Sequence, residues 1–193
     1  MLRTAVLFLS TRCSAMVGRA AAGSAREYGT TPRAAVAVAL RRNTDPTPSY
    51  LLVKRSKPPG KGKWSLPGGG IELGEATVHA ARRELEEECM LSHTDVQWSS
   101  RPFTTTDAIV HDADGAVQFH YLIAQFYGEA VDGALPIAGD DALEVQWWLL
   151  DEVIRGTVNG TVAGNCEAVL TYAEDLRRAG LLLCTPAKER QAP

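Results

Sequence analysis

Between Gly74 and Leu91 the chain concentrates groups that could do chemistry: Glu75, Arg83-Glu84 and Glu86-Glu87-Glu88. Glu84, Glu87 and Glu88 stand at i, i+3 and i+4, which places three carboxylates on one face of a helix. Val78, Ala81, Leu85 and Cys89 form an apolar stripe on a different face. One side of such a helix packs on a core while the other presents concentrated negative charge. Like charges at this spacing cost about 0.2–0.5 kcal/mol per pair in an isolated helix, so something must offset them. A hard divalent cation is the simplest candidate, because Mg2+ takes carboxylate oxygens and bridges to substrate phosphates. Just upstream, Gly68-Gly69-Gly70 lets the backbone approach a ligand closely.

Gly69, Glu75, Arg83, Glu84, Leu85, Glu87, Glu88 and Leu91 also fall on a longer pattern. The stretch resembles the Nudix box: Gly, five residues, Glu, seven residues, Arg-Glu-aliphatic, one residue, Glu-Glu, one residue, Gly-aliphatic. One position departs, Met90 standing where the signature has its late Gly. The resemblance implies an α/β fold, the Nudix α/β/α sandwich with a mixed β-sheet between helices. It also implies dependence on Mg2+ or Mn2+, and hydrolysis of a nucleoside diphosphate linked to another moiety. By the same resemblance Glu84, Glu87 and Glu88 are the metal-ligating and catalytic carboxylates, with Glu87 the candidate general base. The Gly68 carbonyl joins the metal ligands, and Glu75, Arg83 and Gly69 hold the motif together. Relatives draw a further acid from the region before the last strand, for which Glu144 is the candidate, with Asp140 and Asp141 behind it. The run from Pro58 to Gly69 is similar to the lead-in of a subgroup many of whose members are labelled ADP-ribose pyrophosphatases.

Several elements must position these groups. Ala34–Leu40 is a short apolar run that suits a buried strand, and Tyr50–Arg55 reads as a second strand able to pair with it. Lys57, Lys61 and Lys63 lie in a Pro- and Gly-rich loop, where they could meet substrate phosphates as flexible point charges. Trp64 reads as core. Pro102–Thr106 reads as a turn or edge segment. Asp107–His111 and Val117–Tyr127 flank Asp112-Ala113-Asp114-Gly115, a strong hairpin signal. Gly128–Asp141 reads as a long acidic loop. Val145–Leu150 follows as a strand, with Asp151 placed to cap a short helix. Cys166–Ala179 reads as a helix packing through Val169, Tyr172, Ala173 and Leu176, with Gly180 at its C-cap. Without the late Gly of the box, either Met90 takes up φ > 0 or the helix ends differently.

The chain has 193 residues, 45% hydrophobic and 22% charged, which fits one globular domain and some extra length. A net charge of -3 gives no basic field for general nucleic-acid binding. Four scattered cysteines without a CxxC argue against a zinc site or a disulfide framework. No apolar run reaches transmembrane length. Residues 1–28 carry Arg3, Arg12, Arg19 and Arg26, many hydroxyls and no acid before Glu27. That is the composition of an organelle transit peptide, with Tyr28 ending a stretch similar to a mitochondrial processing site. The rival is a secretory signal on the apolar Ala5–Leu9 run, which is short for one and soon interrupted by Arg12; the plainest alternative is a tail without an address on a cytoplasmic protein. Residues 29–183 are then the domain and 184–193 a loose tail. The expected partner is a small-molecule nucleotide, with no membrane; many relatives are dimers, which leaves a homodimer open. Three functions stay in play: hydrolysis of an ADP-ribose-type substrate, house-cleaning hydrolysis of nucleoside triphosphates, and nucleotide or RNA binding without catalysis in an organelle complex.

Overall fold

The computed structural model describes residues 31–42, 47–139 and 141–185. The segment expected to be a transit peptide, Asp140 and residues 186–193 lie outside the described residues. Eight strands form one mixed sheet among the described residues: β1 (Arg33–Arg42), β2 (Ser49–Arg55), β3 (Trp64–Ser65), β4 (Val96–Ser99), β5 (Thr104–His111), β6 (Val117–Ala130), β7 (Ala142–Leu149) and β8 (Cys184–Thr185). Three helices cover it: α1 (Thr77–Cys89), α2 (Leu150–Val158) and α3 (Cys166–Arg178).

β1 lies parallel to β6 over its whole length, from Arg33 opposite Tyr121 to Arg42 opposite Ala130. The apolar run in β1 is explained by burial on both faces. Val36, Val38 and Leu40 pack with Leu51 and Val53 under α1. Ala37 and Ala39 point the other way, with Tyr50 and Leu52, against α2 and α3. β2 pairs with β1 only at Arg41–Tyr50 and Arg42–Ser49, then swings away to pair with β3. The gap this leaves along β1 is filled by the glycine segment: Val36 N–H donates to Gly69 O and Val38 N–H to Pro67 O, each at 2.9 Å.

Some elements differ from the sequence expectation. β5 begins at Thr104, inside the segment read as a turn or edge segment, and it is the edge reading that holds, because Thr104 to Val110 finds a ladder on β6 alone. β6 continues through Gly128–Ala130, read as the start of a loop, because β4 supplies a second partner there. Asp151 does not cap α2. The helix starts at Leu150, and Glu152 Oε2 accepts the Leu149 N–H at 2.8 Å. In α3 the packing face turns toward Cys166, Leu170 and Glu174, and Tyr172 is left 46% exposed beside Phe103. Cys184 and Thr185, at the start of the expected tail, pair with Ser99 and Trp98 as β8.

Glu174 is 1% exposed, and its neighbours explain how a carboxylate sits there. Oε1 accepts from Arg41 Nε at 2.8 Å and from the Tyr50 hydroxyl at 2.9 Å, while Oε2 accepts from Arg177 at 3.2 Å. Burial alone would raise this carboxyl, but the bonds from Arg41, Tyr50 and Arg177 outweigh it and hold it below the ordinary value of 4.5. A depressed folded value gives stability that is complete above the unfolded pKa and lost as pH falls through the folded one. Glu174→Ala should therefore lower the unfolding free energy by about 3–5 kcal/mol at pH 7, because it strands a buried arginine. Urea titration at pH 7 and below pH 4 checks this, and the gap between wild type and variant should narrow in acid.

Candidate functional site

The site begins with the glycine segment. Gly68 has φ 151°, and a Cβ there would lie 2.2 Å from the Val36 carbonyl oxygen. A Cβ on Gly69 would lie 2.6 Å from both oxygens of Glu84. Gly68 therefore requires glycine, because its clash is with backbone, whereas a side chain at Gly69 would push the Glu84 carboxylate out of its place. The segment is clamped against β1 on one side and lies on the carboxylates of α1 on the other. The Gly68 N–H donates to Glu88 Oε2 at 2.8 Å.

Arg83 fastens the second side. Its Nε and Nη2 bond the two oxygens of Glu75 at 2.9 and 3.0 Å, a bidentate fork. Nη1 donates to Glu84 at 2.9 Å and to Glu87 at 3.0 Å, and Nη2 also reaches the Gly70 carbonyl at 3.0 Å. All five N–H donors of the guanidinium are thus engaged. The Arg83 hydrogen bonds pull the Glu75 carboxyl down to about 2. Burial pushes Glu84 up. Burial pushes Glu88 up to about 7, against the pull of the Gly68 N–H and with further repulsion from Glu84 and Asp141. Glu86 and Glu87 stand exposed, and Ala81, Leu85 and Cys89 bury the opposite stripe, as their spacing requires.

At the end of α1 the first of the two expected outcomes holds, but the segment that secures this end was missed by sequence reasoning. Met90 takes φ 55°, ψ 27°, the left-handed cap that glycine usually supplies, with its N–H on Glu86 O at 2.9 Å. The helix's next carbonyls are taken by the segment before β7: Ile137 N–H bonds Cys89 O and Gly139 N–H bonds Glu88 O, each at 3.0 Å. A Cβ on Gly139 would meet Glu87 O at 1.8 Å. Gly139 was visible in the sequence only as a loop glycine, because its role depends on a backbone contact with a helix fifty residues upstream.

The structure does not bring every expected residue together. Glu144 alternates with Val145, which packs on the α1 side, so Glu144 points to the opposite face. There it pairs with Lys54 Nζ at 2.6 Å, and Lys54 lies over the Trp64 ring. This corrects the expectation that Glu144 joins the box carboxylates: strand alternation turns it away. Among the described residues of this region Asp141 acts electrostatically on Glu88, and it holds Lys57 Nζ at 2.5 Å. Lys61 and Lys63 are exposed and have no side-chain partner among the described residues. Trp64 is 6% exposed, a core residue against Trp148.

Among the described residues no group of three or more His, Cys, Asp or Glu side chains is gathered as a metal cluster. Arg83 Nη1 instead holds Glu84 and Glu87 at 2.9 and 3.0 Å. The donor chemistry nonetheless suits a hard divalent cation: three carboxylates on one helix face, under a backbone that no side chain obstructs. The raised Glu84 and Glu88 carboxyls are groups that a cation would return to their charged form.

A mixed sheet thus lies between helices, with an arginine-held carboxylate face under a glycine loop. A family model described as the NUDIX domain matches residues 31–163, and the chain belongs to the Nudix family. It is 32% identical over 103 residues to the ADP-ribose pyrophosphatase of Methanocaldococcus jannaschii, covering 53% of this chain and 56% of that protein. It is 38% identical over 79 residues to the nucleoside triphosphatase NudI of Escherichia coli, covering 39% of this chain and 55% of that protein. The chain thus spans about half the length of these curated relatives. The NUDIX domain of Shewanella oneidensis NrtR, solved with ADP ribose, shares the fold at a TM-score of 0.59 and 22% identity, over 76% of this chain and 89% of that one.

A carboxyl raised in the folded state weakens the fold as pH climbs from the unfolded value of 4.5 through about 7. Glu88→Gln should therefore stabilise the metal-free protein at pH 8, by at most about 3 kcal/mol, and hardly at all below pH 5. Thermal melts in EDTA at the two pH values measure this, and a variant less stable at pH 8 would refute it.

Proposed function

We propose that this domain hydrolyses a pyrophosphate linkage in a nucleoside diphosphate derivative, of the ADP-ribose type. One observation carries the reading: the glycine segment closes directly on Glu84 and Glu88 while Arg83 fixes Glu75, Glu84 and Glu87 around it. The name of the archaeal relative supports the substrate class. Glu84, Glu87, Glu88 and the Gly68 carbonyl would hold Mg2+ or Mn2+. Bound there, the ion supplies charge neutralisation for the pyrophosphate and a more acidic water. The chain's own residues do the rest. Arg83 orients Glu84 and Glu87. Glu88 or Glu87 takes the proton of the attacking water. Lys57, released from Asp141, and the free Lys61 and Lys63 draw in the phosphates. The segment from Ile137 to Gly139 keeps the C-terminal end of α1 in place.

A second reading, hydrolysis of nucleoside triphosphates, is favoured by the similarity to the bacterial triphosphatase. Both readings are tested on one panel of ADP-ribose, dinucleotides and triphosphates with Mg2+ or Mn2+. We expect ADP-ribose to yield AMP and ribose 5-phosphate. Replacing Glu87 and Glu88 by Gln should slow this at least about 100-fold, the lower end of what a positioned proton acceptor contributes. If no nucleotide in the panel is cleaved and the double variant behaves as wild type in cells, the domain is a nucleotide- or RNA-binding module instead.

The composition of residues 1–28 supports a further proposal, import into mitochondria. Fused to a fluorescent protein, these residues should carry it to mitochondria; a cytosolic signal would leave the protein cytoplasmic.

A further inference from the structure

The hairpin of β5 and β6 leaves a sheet edge open. β5 pairs with β6 from Thr104 to His111, and no strand pairs with its other side among the described residues. The Asp112 N–H turns inward across the hairpin, to the Ala116 carbonyl at 2.9 Å. Backbone direction alternates along a strand, so the N–H and C=O groups of His111, Ile109, Asp107 and Thr105 turn away from β6. The register shift near His111 does not disturb this alternation, because the extra residue, Gln118, lies in β6. An outward row of this kind is a template for another strand, and edges are commonly blunted by lysine or proline. Thr104–His111 contains neither.

The side chains of Asp107, Ile109 and His111 share one face with those directly opposite them, Leu122, His120 and Val117. Asp107 Oδ1 accordingly lies 3.3 Å from His120 Nε2. Ile109 is 47% exposed, Leu122 49% and Val117 51%, so apolar surface lies open along this face. Asp107 Oδ2 and the His111 ring have no partner among the described residues.

The pattern acid, apolar, base at Asp107, Ile109 and His111 is complementary to itself when reversed. With Ile109 on a two-fold axis, Ile109 faces its own copy, Asp107 faces His111 of the second copy, and His111 faces Asp107 of the second copy. The His111 ring can donate an N–H to that carboxylate in either protonation state. The three residues are also among those whose backbone groups turn outward, so each opposed pair exchanges N–H···O bonds. On the reverse face Ala108 meets Val110 of the second copy. Moving the axis to Asp107 would set the two copies of that acid against each other, and like charges directly opposed are destabilising. Charge thus selects both the partner and the register. We infer that β5 pairs antiparallel with β5 of a second copy of this chain, about a two-fold axis at Ile109, which joins two sheets into one.

Sedimentation equilibrium of the full chain should show a reversible dimer with a dissociation constant in the micromolar range, as suits one strand pair and a small apolar patch. Ile109→Lys places two ammonium groups at the axis and should leave a monomer at every concentration that dimerises wild type. His111→Asp sets acid against acid and should weaken the dimer about tenfold or more. Adding Asp107→Lys to His111→Asp restores opposite charges and should recover most of that loss. All three positions are exposed, so the variants fold as wild type. Mild oxidation of Ile109→Cys should link two copies through position 109, because Cα atoms of such an opposed pair lie about 5.5 Å apart, within disulfide reach. Mass spectrometry of the linked peptide separates this bond from any through a native cysteine. Wild type that stays monomeric up to millimolar concentration overturns the inference. A dimer that survives Ile109→Lys overturns it too, since it forms through another face. A charge swap that recovers nothing overturns the register.

Discussion

The carboxylate face depends on one guanidinium. Arg83 satisfies five hydrogen bonds at once, to Glu75, Glu84, Glu87 and the Gly70 carbonyl. Without it, three acids within two turns of α1 would repel one another and the glycine segment would have no anchor on that side. A lysine could not substitute. Its ammonium offers three donors from one point, whereas the fork of Arg83 reaches a carboxylate bidentately and still has donors for two other residues and a carbonyl. Glu75 shows the strength of this grip, since its carboxyl is drawn down to about 2.

The sheet sets where that grip acts. β2 leaves β1 after two residue pairs, and the opened edge of β1 becomes the docking rail for Pro67–Ile71. The glycine segment is therefore an added partner of the sheet, held by the same kind of backbone bonds as a strand. α1 packs on the same region through Ala81, Leu85 and Cys89. The carboxylates and the backbone above them are thus referenced to one rigid element, β1, which pairs with β6 along ten residues. Positioning on such an element keeps the geometry tight enough for chemistry.

What could be read in advance was what is local. The spacing of Glu84, Glu87, Glu88, Arg83 and Glu75 lies within one turn-and-helix unit, and periodicity alone assigned Ala81, Leu85 and Cys89 to the buried stripe; Glu88, placed on the other face, is buried as well. The apolar run of β1 announced a strand for the same reason. Glu144 misled because its side chain's direction depends on alternation along β7, and its partner Lys54 comes from β2, ninety residues earlier. Nothing in the sequence singled out Glu174. It is buried because Arg41 and Tyr50 arrive from strands 133 and 124 residues away. Gly139 and Ile137 act through backbone N–H groups, which leave no trace in residue type.

Met90 joins these two kinds of information. The box pattern flagged it as a departure, and the structure keeps the left-handed cap despite the side chain, at φ 55°. A non-glycine residue in that region costs about 1 kcal/mol or more and persists only where its surroundings fix it. The surroundings here are the bonds from Ile137 and Gly139 to the two preceding carbonyls, which secure the helix end independently of its cap. The segment before β7 thus does for α1 what the missing glycine would have done. The same contact brings Asp141 into electrostatic range of Glu88. In this chain the helix end and the approach of Asp141 follow from a single loop placement, which adds a minor repulsion to the burial that raises the Glu88 carboxyl.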